Sequence, residues 1–325
     1  MVRQFTQHQW DDRLSADWAA LTALALAEDF GTQGDITSRS LVPEQARGRA
    51  AVVSRRSGVI CGLRGAAELV RAVDSRLSLT LAASDGDEVA AGKAVAELSG
   101  PVRAILGVER TMLNLLGRLS GIATLTRAYV SAVAGSRAKI FDTRKTTPGW
   151  RRLEKYAVRC GGGWNHRTGL FDAILIKDNH LAFHRQWLES DCGRGYDASE
   201  NRPEEQPDRG RYSPAMAVRA ARQWAAEAGL GDVVVEIEVD TLDQLAEVLP
   251  ALPDIVLLDN MPAETLAAAV AMRNRLAAEV ELEASGGMTL ERAAQAAAAG
   301  VDRISVGALT HSAVALDLGL DWIDS

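Results

Sequence analysis

Six short apolar runs that alternate with helical patterns set the tightest limit on how this chain can fold. The runs lie at 138–141, 173–176, 233–237, 255–258, 280–282 and 303–306. Between most of them the apolar spacing changes to a helical period, at 150–159, 214–228, 241–249, 263–278 and 289–299. Strands separated by helices cannot pair as hairpins. They form a parallel sheet joined by right-handed crossovers. Six such units favour a closed or nearly closed α/β barrel. A doubly wound sheet is the weaker alternative, because no Gly-x-Gly-x-x-Gly turn follows the first run.

The first half of the chain has another rhythm. Residues 15–28 read as an amphipathic helix and 28–40 as a polar, Gly-rich loop. Short β-like runs follow at 50–54, 58–61, 77–82 and 94–98, with a helix near 63–74. Together these make an α+β unit of about a hundred residues. From 107 to 134 the pattern is helical, with Leu113, Leu116, Leu119, Ile122 and Leu125 at three-residue spacing, and this helix is read as the link between two domains. Residues 185–213 are polar and carry Gly and Pro without an apolar period, so a surface insertion is expected there.

Chemically useful residues recur where the β-like runs end. The first run leads into Asp142-Thr143-Arg144-Lys145, the second into Lys177-Asp178-Asn179-His180. Glu236 and Glu238, Asp259-Asn260, Glu283-Ala284-Ser285-Gly286-Gly287 and Gly307 follow at the other four. In an α/β barrel the strand C-termini form the catalytic face. Polar residues also end strands simply because the chain meets water there, but six runs obeying one rule go beyond that.

The cations among these residues stand against the background. The chain carries a formal net charge of -7, yet Arg144, Lys145, His166, Arg167 and Lys177 crowd into 142–180 between apolar segments, glycines and a proline. The acidic balance argues against non-specific nucleic-acid binding. Cations with apolar neighbours need anionic partners, so a pocket for a small, highly anionic ligand is expected. Arg144 and Arg167 offer bidentate forks, and Lys145 and Lys177 compact charges. Glu238 and Asp259, at the ends of adjacent runs, suit Mg²⁺ held partly through water and substrate phosphate. Acid–base work without metal, or pairing with the nearby cations, are the alternatives. Ser285-Gly286-Gly287 and Ser305-Val306-Gly307-Ala308 each lead into a helix, where bare backbone amides bind phosphate.

Other features carry less. His180 and His184 are four apart but lack the glutamate of a zinc-protease helix, so they read as hydrogen-bonding groups. The segment 84–100, around Lys93, reads as structural β-turns. Cys61, Cys160 and Cys192 are too widely spaced to indicate a disulfide framework or a zinc site. Asp11, Asp12 and Asp17 precede the short apolar run 19–27, unlike a secretory leader, and no run approaches membrane-spanning length. A cytoplasmic protein is expected.

These residues also resemble a known family, quinolinate phosphoribosyltransferase. The likeness runs through EDFGTQGDITS, ERTMLNLLGRLSGIAT, DTRKTTPGWRRLEKYAVRCGGGWNHR, LIKDNH, VEIEVD, LLDNM, EASGG and VDRISVGALTHS. The insertion at 185–213 is longer than the family leads one to expect. The resemblance implies an N-terminal α/β sandwich domain (1–115, with the tail 312–325) and an open α/β barrel (116–311), the type II phosphoribosyltransferase-like fold. It implies conversion of quinolinate and phosphoribosyl pyrophosphate into nicotinate mononucleotide, pyrophosphate and CO₂, with Mg²⁺. It also implies a homodimer with shared active sites, or a hexamer built as a trimer of dimers. By the same resemblance Arg144, His166, Arg167 and Lys177 would hold the quinolinate carboxylates, and Arg110 would reach in from the partner subunit. Lys145, Ser285, Gly286, Gly307 and His311 would serve the phosphates of the ribosyl donor, and Thr143 and Gly287 would also bind substrate. Glu238 and Asp259 would face the ribose and the Mg²⁺-pyrophosphate.

Two enzymes and one non-enzyme compete with this reading. A related pyrophosphorylase-like protein associated with molybdenum transport shares the fold, but the intact DTRKT, NHR and LIKDNH segments favour the carboxylating enzyme. Nicotinate phosphoribosyltransferase takes a monocarboxylate and needs fewer cations. A non-catalytic sensor of nicotinate nucleotides would not need the complete set of cations and acids.

Overall fold

The structure, a computed structural model, describes residues 3–189 and 213–323. The described residues divide into two compact units. One gathers Gln7–Ser131, Asp142–Asn165 and Gly307–Ser325, the other Met1–Thr6, Ala132–Phe141 and His166–Val306.

In the first unit, helix α1 (Asp12–Phe30) starts where Asp11 accepts the Leu14 N–H at 2.8 Å. A short helix α2 (Ile36–Leu41) interrupts the stretch expected to be loop, because Asp35 caps it by accepting the Ser38 N–H at 2.9 Å. Next come β1 (Arg47–Ser54), β2 (Gly58–Val59), α3 (Leu63–Val73), β3 (Ser78–Leu81), β4 (Glu88–Val89), β5 (Ala94–Pro101) and α4 (Val102–Ala132). Strand β1 lies inside a four-stranded sheet and pairs antiparallel with β5 on one side. On its other side lies the last strand of the chain, β12 (Leu318–Ile323), with Val52 opposite Leu320. Ala50, Val52 and Leu98 point to one face and are fully buried.

The helix expected at 107–134 is α4, which starts earlier and carries a fully buried stripe of Ile105, Met112, Leu116, Leu119 and Ile122. Gly117 and Gly121, one turn apart, let the returning tail cross it closely. The Leu316 N–H donates to the Gly117 carbonyl at 2.9 Å, and a Cβ on Gly121 would stand 2.1 Å from the Val314 carbonyl oxygen. Cys61 and Cys160 are free thiols in this unit, and Cys192 lies outside the described residues.

The second unit holds a parallel six-stranded sheet. Its strands are β6 (Lys139–Phe141), β7 (Ala173–Ile176), β8 (Val234–Val239), β9 (Ile255–Asp259), β10 (Glu281–Ser285) and β11 (Arg303–Ser305). Between β6 and β7 in sequence lies α5 (Arg151–Cys160), which belongs to the first unit. The spatial order β6-β11-β10-β9-β8-β7 is that of a barrel in which first and last strands are neighbours. Strands β6 and β7 remain unpaired with one another among the described residues, so the barrel is open. Four helices alternate with its later strands, α7 (Pro214–Glu227), α8 (Leu242–Val248), α9 (Ala263–Leu276) and α10 (Leu290–Ala299).

Helix α6 (Asp178–Glu189) is a departure from the sequence reading, since residues 185–189 are its last turn and not part of a loop. The rest of the expected insertion, 190–212, lies outside the described residues, and α7 starts at its far side with Ser213 as cap and Pro214 at the first helical position. Register between strands is fixed by a repeated device. Asp254, just before β9, accepts the Val235 N–H of β8 at 2.7 Å and is held by Arg222. Asp302, just before β11, accepts the Leu282 N–H of β10 at 2.9 Å and is held by Arg273.

The tail crossing predicts one mutational outcome. Alanine at Gly121 gains about 1 kcal/mol of helix propensity. The Val314 oxygen must then move, and overpacking of this kind costs about 1–3 kcal/mol. A net loss of about 1–2 kcal/mol in urea unfolding of Gly121→Ala is expected. Unchanged or raised stability contradicts the close crossing.

Candidate active site

The barrel's parallel strands bring their C-terminal residues to one edge. Register places Ile176 opposite Ile237, so Lys177 and Glu238 leave their strands together, and Lys177 Nζ lies 2.7 Å from Glu238 Oε2. On β9, Leu257 pairs with Glu238, which sets Asp259 one side-chain repeat further along the same face. Asp259 Oδ2 accepts the Asn260 amide at 2.8 Å, and Ser285 pairs with Asp259 across the next strand.

The turn after β10 fits only glycine. Asn260 takes a left-handed backbone (φ 52°), from which its N–H donates to the Ser285 carbonyl at 3.0 Å. Gly286 has φ 94°, and a Cβ there would stand 2.2 Å from Asn260 Oδ1. The two strand ends therefore interlock through Asn260 and Gly286, with Gly287 (φ 52°) completing the turn.

The other expected site residues, His166 and Arg167 apart, belong to the first unit. Asp142, which follows β6 in the chain, is not offered to a ligand: Lys155 and Asn165, all three residues fully buried, bind its two oxygens. It anchors the loop behind it. Thr143 Oγ1 accepts the Lys145 N–H at 3.0 Å. Arg144 Nε is buried without a hydrogen-bond partner among the described residues. Such an unmet donor costs about 1–3 kcal/mol until something accepts from it. Lys145 and His311 converge over Gly307, where a Cβ would lie 3.0 Å from Lys145 Cδ and 3.2 Å from His311 Nε2. Arg110 is exposed on α4.

His166 and Arg167, expected among apolar neighbours, lie in the barrel unit. Both are buried, at 5% and 6% exposure. His166 Nδ1 accepts the Arg167 N–H at 2.8 Å, while Nε2 lies 3.0 Å from Glu236 and 3.5 Å from Glu283. Both ring nitrogens are thus engaged within the barrel. Glu236 and Glu283, read as lying where their runs end, sit inside β8 and β10 at 0% exposure, and β10 runs past the expected 280–282 to Ser285. Arg303 stacks on Phe141, 3.9 Å from the ring centroid, and approaches Glu283 at 3.2 Å.

This interior cluster shares its charge. Burial works against a charged His166, but Glu236 and Glu283 outweigh it and lift the ring to about 9. The Arg167 N–H pulls the other way, since a charged ring has no lone pair at Nδ1 to accept it. Burial raises Glu236, and Glu283 adds to the rise. Burial also opposes the charge on Glu283, but His166 and Arg303 hold it below the usual carboxylate range. Ligand-type atoms of His166, Glu236 and Glu283 lie within 4.8 Å of one another, a spacing that suits a cation. Arg303 already supplies positive charge there. The sequence signal for the cluster was V-V-E-I-E-V, in which Glu236 and Glu238 share one face two residues apart, the first inside the barrel and the second at its rim.

His180 serves as a hydrogen-bonding group, its Nδ1 accepting the Lys177 N–H at 3.0 Å. Among the described residues no helix is long and apolar enough to cross a membrane.

Comparison with known proteins adds the following. The family model described as quinolinate phosphoribosyl transferase, C-terminal domain, matches residues 122–190 and 213–321, and that of the N-terminal domain matches 35–120. The chain is 41% identical over 294 residues to a probable nicotinate-nucleotide pyrophosphorylase (carboxylating) of Bacillus subtilis, covering 90% of this chain and 89% of that one. It is 43% identical over 300 residues to nicotinate-nucleotide pyrophosphorylase (carboxylating) of Mycobacterium leprae, covering 91% and 94%. The solved structure of the nicotinate-nucleotide pyrophosphorylase from Francisella tularensis superposes with TM-score 0.82 at 36% identity, covering 98% of this chain and all of that one.

Interior and rim charges should respond differently to removal. Arg303→Met leaves the buried Glu283 short of its cation and is expected to cost about 3–5 kcal/mol in urea unfolding. Lys177→Met removes a rim pair whose lysine is 46% exposed, and should cost less than about 1 kcal/mol. Equal losses would show that the rim pair is structural too.

Proposed function

The chain belongs to the quinolinate phosphoribosyl transferase family, and from that premise we propose that it joins quinolinate to the ribosyl group of phosphoribosyl pyrophosphate and expels CO₂. The products are nicotinate mononucleotide and pyrophosphate, a step of NAD biosynthesis. The observation that carries this reading is the buried, unmet Arg144 Nε in an acidic chain. A guanidinium held this way is matched by a ligand carboxylate.

In this reading Arg144, Arg167 and Lys177 hold the two quinolinate carboxylates, and Thr143 supports the loop that presents Arg144. His166 sits behind Arg167 and fixes it through the bond from the Arg167 N–H. Lys145, His311 and the bare backbone at Gly307 take phosphate oxygens of the ribosyl donor, as do the amides of Ser285, Gly286 and Gly287. The bond from the sugar carbon to pyrophosphate breaks as positive charge builds on the ribose, and Glu238 and Asp259 stabilise that charge. The pyridine nitrogen forms the new bond and becomes cationic. It then accepts the electron pair left when the adjacent carboxylate departs as CO₂, and a proton takes that carboxylate's place on the ring.

Mg²⁺ fits the same acids. Lys177 and Asn260 each occupy one carboxylate oxygen, while Glu238 Oε1 and Asp259 Oδ1 have no hydrogen-bond partner among the described residues. Hard oxygen donors of this kind, with substrate phosphate and water, are what Mg²⁺ takes. When bound it neutralises charge on the departing pyrophosphate.

Arg110, exposed on α4 of the first unit, is assigned to the partner's substrate in a homodimer with shared sites. Hexamers would be trimers of such dimers. The acidic chain is placed in the cytoplasm, with no part for nucleic acid or membrane.

Purified protein supplied with Mg²⁺, quinolinate and phosphoribosyl pyrophosphate is expected to release CO₂, pyrophosphate and nicotinate mononucleotide in equal amounts. Turnover of nicotinate without CO₂ release would overturn the assignment.

A further inference from the structure

Behind the expected phosphate-binding groups of the first unit lies an ion pair that touches neither substrate in the reading above. Glu154 of α5 is fully buried. It accepts the Thr147 N–H at 3.1 Å and the Thr147 hydroxyl at 2.9 Å, and Arg118 Nη2 lies 2.6 Å from it. Arg118, on α4, donates from Nη1 to the Ala313 carbonyl at 3.1 Å and from Nη2 to the Thr310 carbonyl. Thr310, also buried, closes the circuit by donating its hydroxyl to the Lys145 carbonyl at 2.8 Å.

One guanidinium and one carboxylate thus fasten two separate segments. Glu154 holds the loop that carries Arg144 and Lys145. Arg118 holds the turn that carries Gly307 and His311, helix α11 (Ala308–His311) with the residues after it. Glu154 is fully buried and Arg118 is 24% exposed, and such a pair contributes little net stability on its own account. Three acceptors spread around Arg118 require the planar fork of arginine, and a lysine ammonium cannot reach them in the same geometry.

We propose that Arg118 and Glu154 are positioning residues for the ribosyl donor, setting the spacing between Lys145 and the Gly307–His311 turn. The proposal rests on the assignment of those groups to donor phosphates. It predicts a split between substrates when Arg118 is lost: the Gly307–His311 turn loosens, while Glu154 still holds the loop that carries Arg144, so quinolinate recognition stays nearly intact.

Calorimetric titration of the full chain with phosphoribosyl pyrophosphate and, separately, with quinolinate tests this without relying on turnover. Arg118→Met is expected to weaken the ribosyl donor by about tenfold or more and quinolinate by less than about twofold. Arg118→Lys should recover little, whereas Glu154→Gln, which keeps the oxygen that Arg118 and the Thr147 hydroxyl share and loses the one that accepts the Thr147 N–H, should recover part of the donor affinity relative to Glu154→Ala. Thr310→Val removes the hydroxyl's bonds to the Lys145 and Gly307 carbonyls and should weaken the donor by about threefold. If Arg118→Met does not fold, Thr310→Val decides. Equal weakening of both ligands, or of neither, in folded Arg118 or Thr310 variants overturns the proposal. Wild-type protein that binds quinolinate but not the donor would instead overturn the functional reading beneath it.

Discussion

Six strands that all run the same way must deliver their C-termini to one edge, and the barrel's site residues depend on that constraint. No hairpin can break the rule, because each return path is a crossover. Lys177, Glu238, Asp259 and Ser285 come from four strands, yet register alone puts Lys177 beside Glu238 and Asp259 beside Ser285. The turn glycine Gly286 then locks Asn260 against the end of the next strand. Asp254 and Asp302 secure the register from the opposite ends of the strands, each binding a neighbouring backbone N–H.

The same sheet separates charge that holds the fold from charge that is free to meet a ligand. Within one strand, Glu236 is fully buried while Glu238 reaches the rim. The interior acids are matched by Arg303 and by the His166 ring, as buried charges have to be. At the rim, Glu238 and Asp259 each keep an oxygen open. In the first unit, Arg118 and the buried Glu154 fasten the segments on either side of Lys145 and Gly307. In the proposed reading, fixed elements of this kind are how positioning is obtained from side chains as long as lysine and arginine.

Much of this was legible in the residues, for physical reasons. The barrel strands could be read because each is a short apolar run between amphipathic helices, and α4 because its leucines repeat at helical spacing. Strand β12 could not, since six residues ending in Asp-Trp-Ile gain strand character only by pairing with β1, more than 260 positions earlier in the chain. Helix α6 was not read as a helix, because Lys177-Asp178-Asn179-His180 reads as a polar strand end and Arg185 and Gln186 open a polar stretch that reads as loop. The interior role of Glu236, Glu283 and His166 was hidden for a related reason. Alternation shows that successive residues face opposite ways, but not which face a barrel encloses. The cation-rich segment 142–180 stood out because its charge runs against an acidic chain, although Lys155 within it proved to be a buried structural partner of Asp142.

The central claim is that these cations are arranged for a dicarboxylate. Titration of the wild-type protein with quinolinate and with nicotinate, at matched salt, tests it most directly. Loss of one charged, bidentate contact is worth about 1.5–3 kcal/mol, so quinolinate should bind at least about tenfold more tightly. Equal affinity for the two acids would contradict the account.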